Sequence, residues 1–181
     1  MKEFLKREYQ FSNYQIAQLE FFFKTVFSEI SKILLIGILF RRELAVYCIG
    51  LVVLLILRTS TGGLHCKTYF GCLFSSAILI ITSFKLLPFI PLGFIPRMVL
   101  LVCCIAVIYL VGPVTSDVHM PLTDEVVKRG RLTAVVFVSC VTVLMGIIPG
   151  NSYMNIIFWI IITHTLQLVA AKVRKKRKEG K

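Results

Sequence analysis

Charge is scarce in this chain, and where it is missing matters most. Charged residues make up 17% of the 181, hydrophobic residues 57%, and the mean hydropathy is +0.83. A soluble domain carries about 25% charge and about 45–50% apolar residues. The imbalance therefore excludes an ordinary water-soluble globule and implies lipid around the chain. Other absences narrow the field further. No CxxC pair or comparable spacing exists to suggest zinc, and no secreted disulfide framework is visible among the six cysteines. The first residues mix Lys2, Glu3, Lys6, Arg7 and Glu8 with Phe4 and Leu5. They lack the uninterrupted apolar core of a secretory signal, so no cleavable leader is expected. Acidic residues number nine against 21 basic, giving a net charge of +12. No nucleic-acid reading motif accompanies these cations, which fall at the ends of apolar runs. Attraction to anionic lipid, at about 1 kcal/mol per basic residue near the surface, accounts for them more simply.

What the chain does have is a series of apolar runs. Gln15 to Ile30 places Ile16, Leu19, Phe23, Phe27 and Ile30 at spacings of three and four, with Glu20 and Lys24 paired on the polar side. The pattern predicts an amphipathic N-terminal helix over residues 1–30. Val26 to Phe40 either crosses the bilayer with Lys32 snorkelling or lies along it. Leu44–Leu57, Cys72–Leu87, Met98–Val111, Leu132–Ile148 and Tyr153–Ala171 read as spans, separated by Pro88, Pro91, Gly93 and Pro96, by a charged loop from Thr115 to Arg131, and by Pro149 to Ser152. The expected fold is all-α: a polytopic integral membrane helical bundle of about five to six membrane segments plus the N-terminal amphipathic helix, in one domain covering 1–181.

The basic tail, 172–181, is expected on the cytoplasmic side because Lys and Arg near short loops stay inside. Counting back through the spans puts the Lys128–Arg131 loop and residues 58–71 on that same side. Arg41 and Arg42 then fall outside, against the bias.

Residues 58–71, RTSTGGLHCKTYFG, are the concentrated polar patch of the first half, and function is sought there. Cys48, Cys103, Cys104 and Cys140 sit in apolar runs, where a thiol is a small hydrophobe. Cys66 and Cys72 flank the patch instead. An imidazole can take the proton of a thiol and return it to a leaving amine, which makes His65 with Cys72 a candidate pair for acyl transfer. Seven residues of straight helix would separate them by about 10.5 Å, so the chain must bend between them. Gly62, Gly63 and Gly71 permit such a bend and would let Cys72 open a helix, whose N-terminal dipole favours a thiolate and whose N–H groups can hold an oxyanion. Cys66 is the alternative nucleophile. A zinc site from His65, Cys66, Cys72 and His119 lacks the usual spacing, so no metal or other cofactor is expected. Asp117 is a candidate orienter of His65. His164, inside an apolar run, is either a functional ionisable group or a hydrogen-bonding partner of a neighbouring helix.

The patch RTSTGGLHCKTYFGC, with its Arg, Gly-Gly, His and a Cys seven residues on, resembles the signature of the accessory gene regulator protein B (AgrB) family. The likeness extends in hydropathy over nearly the whole chain and includes Gly112-Pro113-Val114 followed by a basic loop, although that loop is less basic and less proline-rich than the family's. The resemblance implies a bacterial membrane cysteine endopeptidase, with His65 and Cys72 catalytic and Arg58, Gly62 and Gly63 in supporting positions. Such an enzyme cuts a small quorum-sensing propeptide near its acidic C-terminal tail and retains the rest as a thioester. An internal Cys or Ser of the propeptide then closes a thiolactone or lactone. The resemblance also implies a homodimer. The acidic tail of the substrate is expected to meet Lys67, Lys128, Arg129, Arg131 or the carboxyl-terminal basic cluster. The rival reading is a small transporter or scaffold in which His65 and Cys72 merely pack.

Overall fold

The structure is a computed structural model that describes residues 27, 29–62, 69–114 and 124–179, with the side chains of Tyr69, Cys72, Lys178 and Glu179 outside the description. By its internal contacts the chain divides into two compact units, Met1–Arg42 and Glu43–Lys181.

In the first unit, helix α1 spans 29–39. Lys32 is paired with Glu29 one turn earlier, Nζ to Oε1 at 2.6 Å. Its charge is thus met within the helix as well as by any snorkelling. The amphipathic pattern of residues 15–26 lies outside the described residues.

Among its described residues the second unit is an up-and-down bundle of five α-helices: α2 (Leu44–Thr61), α3 (Tyr69–Ile81), α4 (Phe94–Val111), α5 (Asp124–Ile147) and α6 (Ser152–Glu179). Among the described residues there is no strand, only an isolated bridge between Gly62 and Val114. Four helices are long and apolar enough to cross a membrane, over Arg41–Thr61, Phe94–Val111, Asp124–Ile147 and Ser152–Arg177. The apolar stretch Leu73–Phe89 makes a shorter fifth. The expected all-α membrane bundle is therefore what forms, and the protein is an integral membrane protein. Its outward face is apolar too: Leu55, Leu110, Leu132, Leu144 and Leu166 are all exposed, as side chains meeting acyl chains would be.

Helix α6 is the hub. Half of its span is buried against 17–33% for the other three, and it packs on α2, α4 and the end of α3. Phe158, Ile160, Ile161 and Leu168 of α6 close the core with Leu57, Leu101, Ile108 and Val138. Small residues set the close approaches: a methyl at Gly50 would lie 2.2 Å from Phe84 Cζ, so α2 and the end of α3 meet where α2 has no side chain.

Several helix ends differ from the sequence expectation. The patch 58–71 is not a loop throughout: Arg58–Thr61 form the last turn of α2, and Tyr69–Gly71 open α3. The threonines do not break α2 because each hydroxyl donates back to its own helix, Thr59 Oγ1 to Leu55 O at 2.9 Å and Thr61 Oγ1 to Leu57 O at 2.8 Å. Helix α3 runs on through a π turn, Thr82–Leu86, and a 3-10 turn, Leu87–Phe89, that contains Pro88. Helix α4 starts at Phe94, with Pro96 in its first turn, where a missing N–H is harmless. Helix α5 takes in Asp124–Arg131 from the expected loop; Asp124 and Glu125 in its first turn complement the helix dipole. The basic tail continues α6 as far as Glu179.

Candidate functional site

Antiparallel order brings four helix ends together. The C-terminal ends of α2 and α4, the start of α5 and the last turns of α6 meet at one end of the bundle. At the opposite end Lys85 pairs with Glu43, and Asn155 Nδ2 approaches Pro88 O at 3.4 Å. The described residues 58–62, Lys128–Arg131 and the start of the tail lie at this one end of the bundle.

At this end the chain entering the glycine patch is held on several sides. Thr61 is fully buried, and its Oγ1 lies 2.9 Å from His164 Nε2, also fully buried in α6. Thr61 O accepts from Val114 N at 2.9 Å, and Gly62 N donates to Arg58 O at 2.9 Å, which ends α2. Gly62 itself has φ 75° and ψ −154°, a region essentially reserved for glycine. A methyl there would also sit 2.3 Å from Val114 O. Next to it, Gly130 of α5 faces the backbone of α2, where a Cβ would come within 2.4 Å of Ser60 O. The chain leaves α2 at a point fixed by three other segments.

The far flank of the patch is tied to the near one by Arg58. Its Nη1 and Nη2 reach Ser76 Oγ at 3.5 and 3.4 Å. Ser76 is buried and lies one helical turn beyond Cys72 in α3. Cys72 lies near the described start of α3, towards the positive end of the helix dipole. His65, Gly63, Cys66 and Lys67 lie outside the described residues, as do Asp117 and His119. Gly62 ends α2 and Tyr69 belongs to α3, so His65 falls between two separate helices in the sequence.

Of the expected cations, Lys128 and Arg129 are exposed on α5. Arg131 is engaged: its Nε donates to Gly112 O at 3.1 Å, and its guanidinium lies over the Tyr109 ring, 5.6 Å from the centroid. The sequence alternatives for His164 included a bond to a neighbouring helix, and that bond is present. Cys48, Cys103, Cys104 and Cys140 are free thiols on helices α2, α4 and α5. Among the described residues no three His, Cys, Asp or Glu side chains converge as a metal site would need.

Sequence reasoning missed Ser76 and Gly130, and gave Thr61 and Val114 no separate role although they stand in RTSTGG and Gly112-Pro113-Val114. Ser76 had a signal, a hydroxyl four residues after Cys72 within an apolar run, hence on the same side of a helix. Gly130 had one too, since a glycine within a charged helical turn costs about 1 kcal/mol against alanine and so implies a packing reason.

The accessory gene regulator B family matches residues 1–168. The chain belongs to that family. A protein described only as AgrB-like, from Clostridium beijerinckii, is 25% identical over 111 residues, 59% of this AgrB-family chain and 55% of that relative. The chain thus spans about half the length of the curated relative it matches. No solved structure matches it.

Proposed function

We propose that the protein is a cysteine endopeptidase of the membrane, with Cys72 as nucleophile and His65 as its base. The reading is carried by one observation: Arg58 and Ser76 tie together the two helices that flank His65, with Cys72 near the described start of the second. A break between two helices is what the pair needs, because straight helix would hold His65 and Cys72 about 10.5 Å apart.

His65 takes the Cys72 thiol proton as sulfur attacks the scissile carbonyl carbon of the propeptide. The same imidazolium then protonates the departing amine, so the acidic tail leaves as a free peptide and the remainder stays as a thioester on Cys72. The positive end of the α3 dipole favours the developing oxyanion. An internal thiol or hydroxyl of the bound peptide attacks the thioester, closes the ring and returns the Cys72 thiol. Making a thioester from an amide is uphill, whereas exchange between thioesters is nearly neutral, so ring closure and loss of the tail draw the first step forward. Burial at a membrane edge keeps water from the intermediate.

In the same reading the site and the C terminus face the cytoplasm of a bacterial cell, two copies form a homodimer, and the acidic tail of the substrate meets Lys67, Lys128, Arg129 and Arg131. Of these, Arg131 is already engaged with Gly112 and Tyr109, which leaves Lys128 and Arg129 as the exposed described cations on α5. The test is intact mass of the protein in lipid after mixing with its propeptide. A hydroxylamine-sensitive adduct of the truncated peptide is expected on the wild type and on neither Cys72→Ala nor His65→Ala. Cleavage surviving in Cys72→Ala transfers the role to Cys66, and no reaction at all with a verified substrate returns the transporter or scaffold reading.

A further inference from the structure

An open cavity of about 490 Å³ lies at the same end of the bundle, between the end of α4 and the last turns of α6. Four cations line it, Arg131, Lys172, Lys175 and Lys176, over an apolar floor that includes Leu110 and Pro113, and no acidic residue is among its described lining. Two of the cations are aimed by backbone carbonyls. Arg131 Nε donates to Gly112 O at 3.1 Å, and Lys172 Nζ donates to Leu110 O at 3.2 Å. Neither bond neutralises a charge.

Depth along the bundle identifies what such a cavity meets. A hydrocarbon core of about 30 Å takes about 20 helical residues at 1.5 Å each. Counted from Ser152, the start of α6, that reaches Ala171, so Lys172, Lys175 and Lys176 emerge where acyl chains give way to headgroups. Val111, the last residue of α4, ends its span at the mouth of the same cavity. One turn before Lys172, α6 exposes Val169 and then Leu166, by 36% and 64%, and Leu110 of α4, in the cavity lining, is exposed by 71%. A cationic hollow thus borders an exposed apolar stripe. An anionic phospholipid has both parts in that order, a phosphodiester and two acyl chains. A free phosphate has no use for the stripe, and an acidic peptide has none for the depth.

We infer that this cavity is a binding site for the headgroup of one anionic phospholipid, with its acyl chains laid along α4 and α6. The inference is independent of the peptidase reading, because no proposed catalytic residue lines the cavity. Lipid held there braces Arg131 and the tail helix against the Gly112–Val114 segment, which in turn abuts Thr61 and Gly62.

Native mass spectrometry of the full-length protein in detergent, titrated with dioleoylphosphatidylglycerol, tests it. One tight adduct is expected on the wild type, weakened at least about 30-fold in Lys172→Gln/Lys175→Gln/Lys176→Gln and unchanged in Lys85→Gln at the opposite end of the bundle. Dioleoylphosphatidylcholine, millimolar inorganic phosphate and a Glu-rich hexapeptide are each expected to leave that adduct undisplaced. Equal retention of phosphatidylcholine, or the same affinity in the triple variant, overturns the inference. Displacement by phosphate alone makes the cavity a phosphate site, and displacement by the acidic peptide makes it a peptide site; either result also overturns it.

Discussion

His164 Nε2 and Thr61 Oγ1 meet 2.9 Å apart in the closed interior of the bundle, across 103 residues of sequence. The bond joins the hub helix to the last turn of α2, one residue before the glycine patch begins. A double-mutant cycle between His164→Ala and Thr61→Val should give a coupling of about 0.6–1.7 kcal/mol in detergent unfolding, the range for hydrogen bonds between membrane helices. Thr61→Ser, which keeps the hydroxyl, should be close to wild type. Strictly additive losses would mean the two groups do not stabilise the fold together.

Gly130→Ala should unfold at markedly lower temperature than wild type, by about 2 kcal/mol or more, because its methyl meets the Ser60 carbonyl. Gly146→Ala, in the same helix with nothing within 4 Å, is the matched control and should be neutral or slightly stabilising. Thermal melts of the two side by side check the contrast, and equal melting points would remove the close α2–α5 approach.

At Gly50 the obstructing group is a ring and not a carbonyl. Gly50→Ala should destabilise by about 1–3 kcal/mol, and Phe84→Leu in the same chain should restore part of that, since the smaller side chain vacates the space the new methyl needs. Melting temperatures of both single variants and the double variant measure it; no recovery in the double variant rejects the contact.

Peptide processing should fall about tenfold in Arg58→Lys, because one ammonium cannot present two nitrogens to Ser76 Oγ as the guanidinium does. Ser76→Ala should fall less, and the two changes together should be less than additive. Product mass spectrometry at fixed enzyme and substrate provides the rates. Independent, multiplying losses would place the role of Arg58 elsewhere.

Much of the bundle was legible in the sequence because lipid imposes a simple rule, and uncharged runs such as Leu44–Leu57 and Tyr153–Ala171 have few alternatives to helix. The ends were harder. Asp124–Arg131 and Lys172–Glu179 are polar, which suggests loop, yet Lys, Arg and Glu are good helix formers and a span can continue into water without losing its hydrogen bonds. Arg58, Gly62 and Gly63 stood out by their neighbours in the patch, and the structure gives the first two a physical place. Ser76, Gly130 and Val114 take their importance from residues 18 to 70 positions distant, and only a folded chain brings those together. His164 was recognisable as unusual, but its partner Thr61 was not.

The two kinds of crowded glycine differ in what heredity can do about them. Phe84 can be exchanged by mutation, so a defect at Gly50 has a second-site suppressor within reach. Gly62 and Gly130 press against the main-chain oxygens of Val114 and Ser60, and every amino acid carries that oxygen. No codon change at 114 or 60 removes the obstacle. A suppressor screen begun from Gly50→Ala should therefore return alleles at position 84, while one begun from Gly62→Ala or Gly130→Ala should return true revertants and little else.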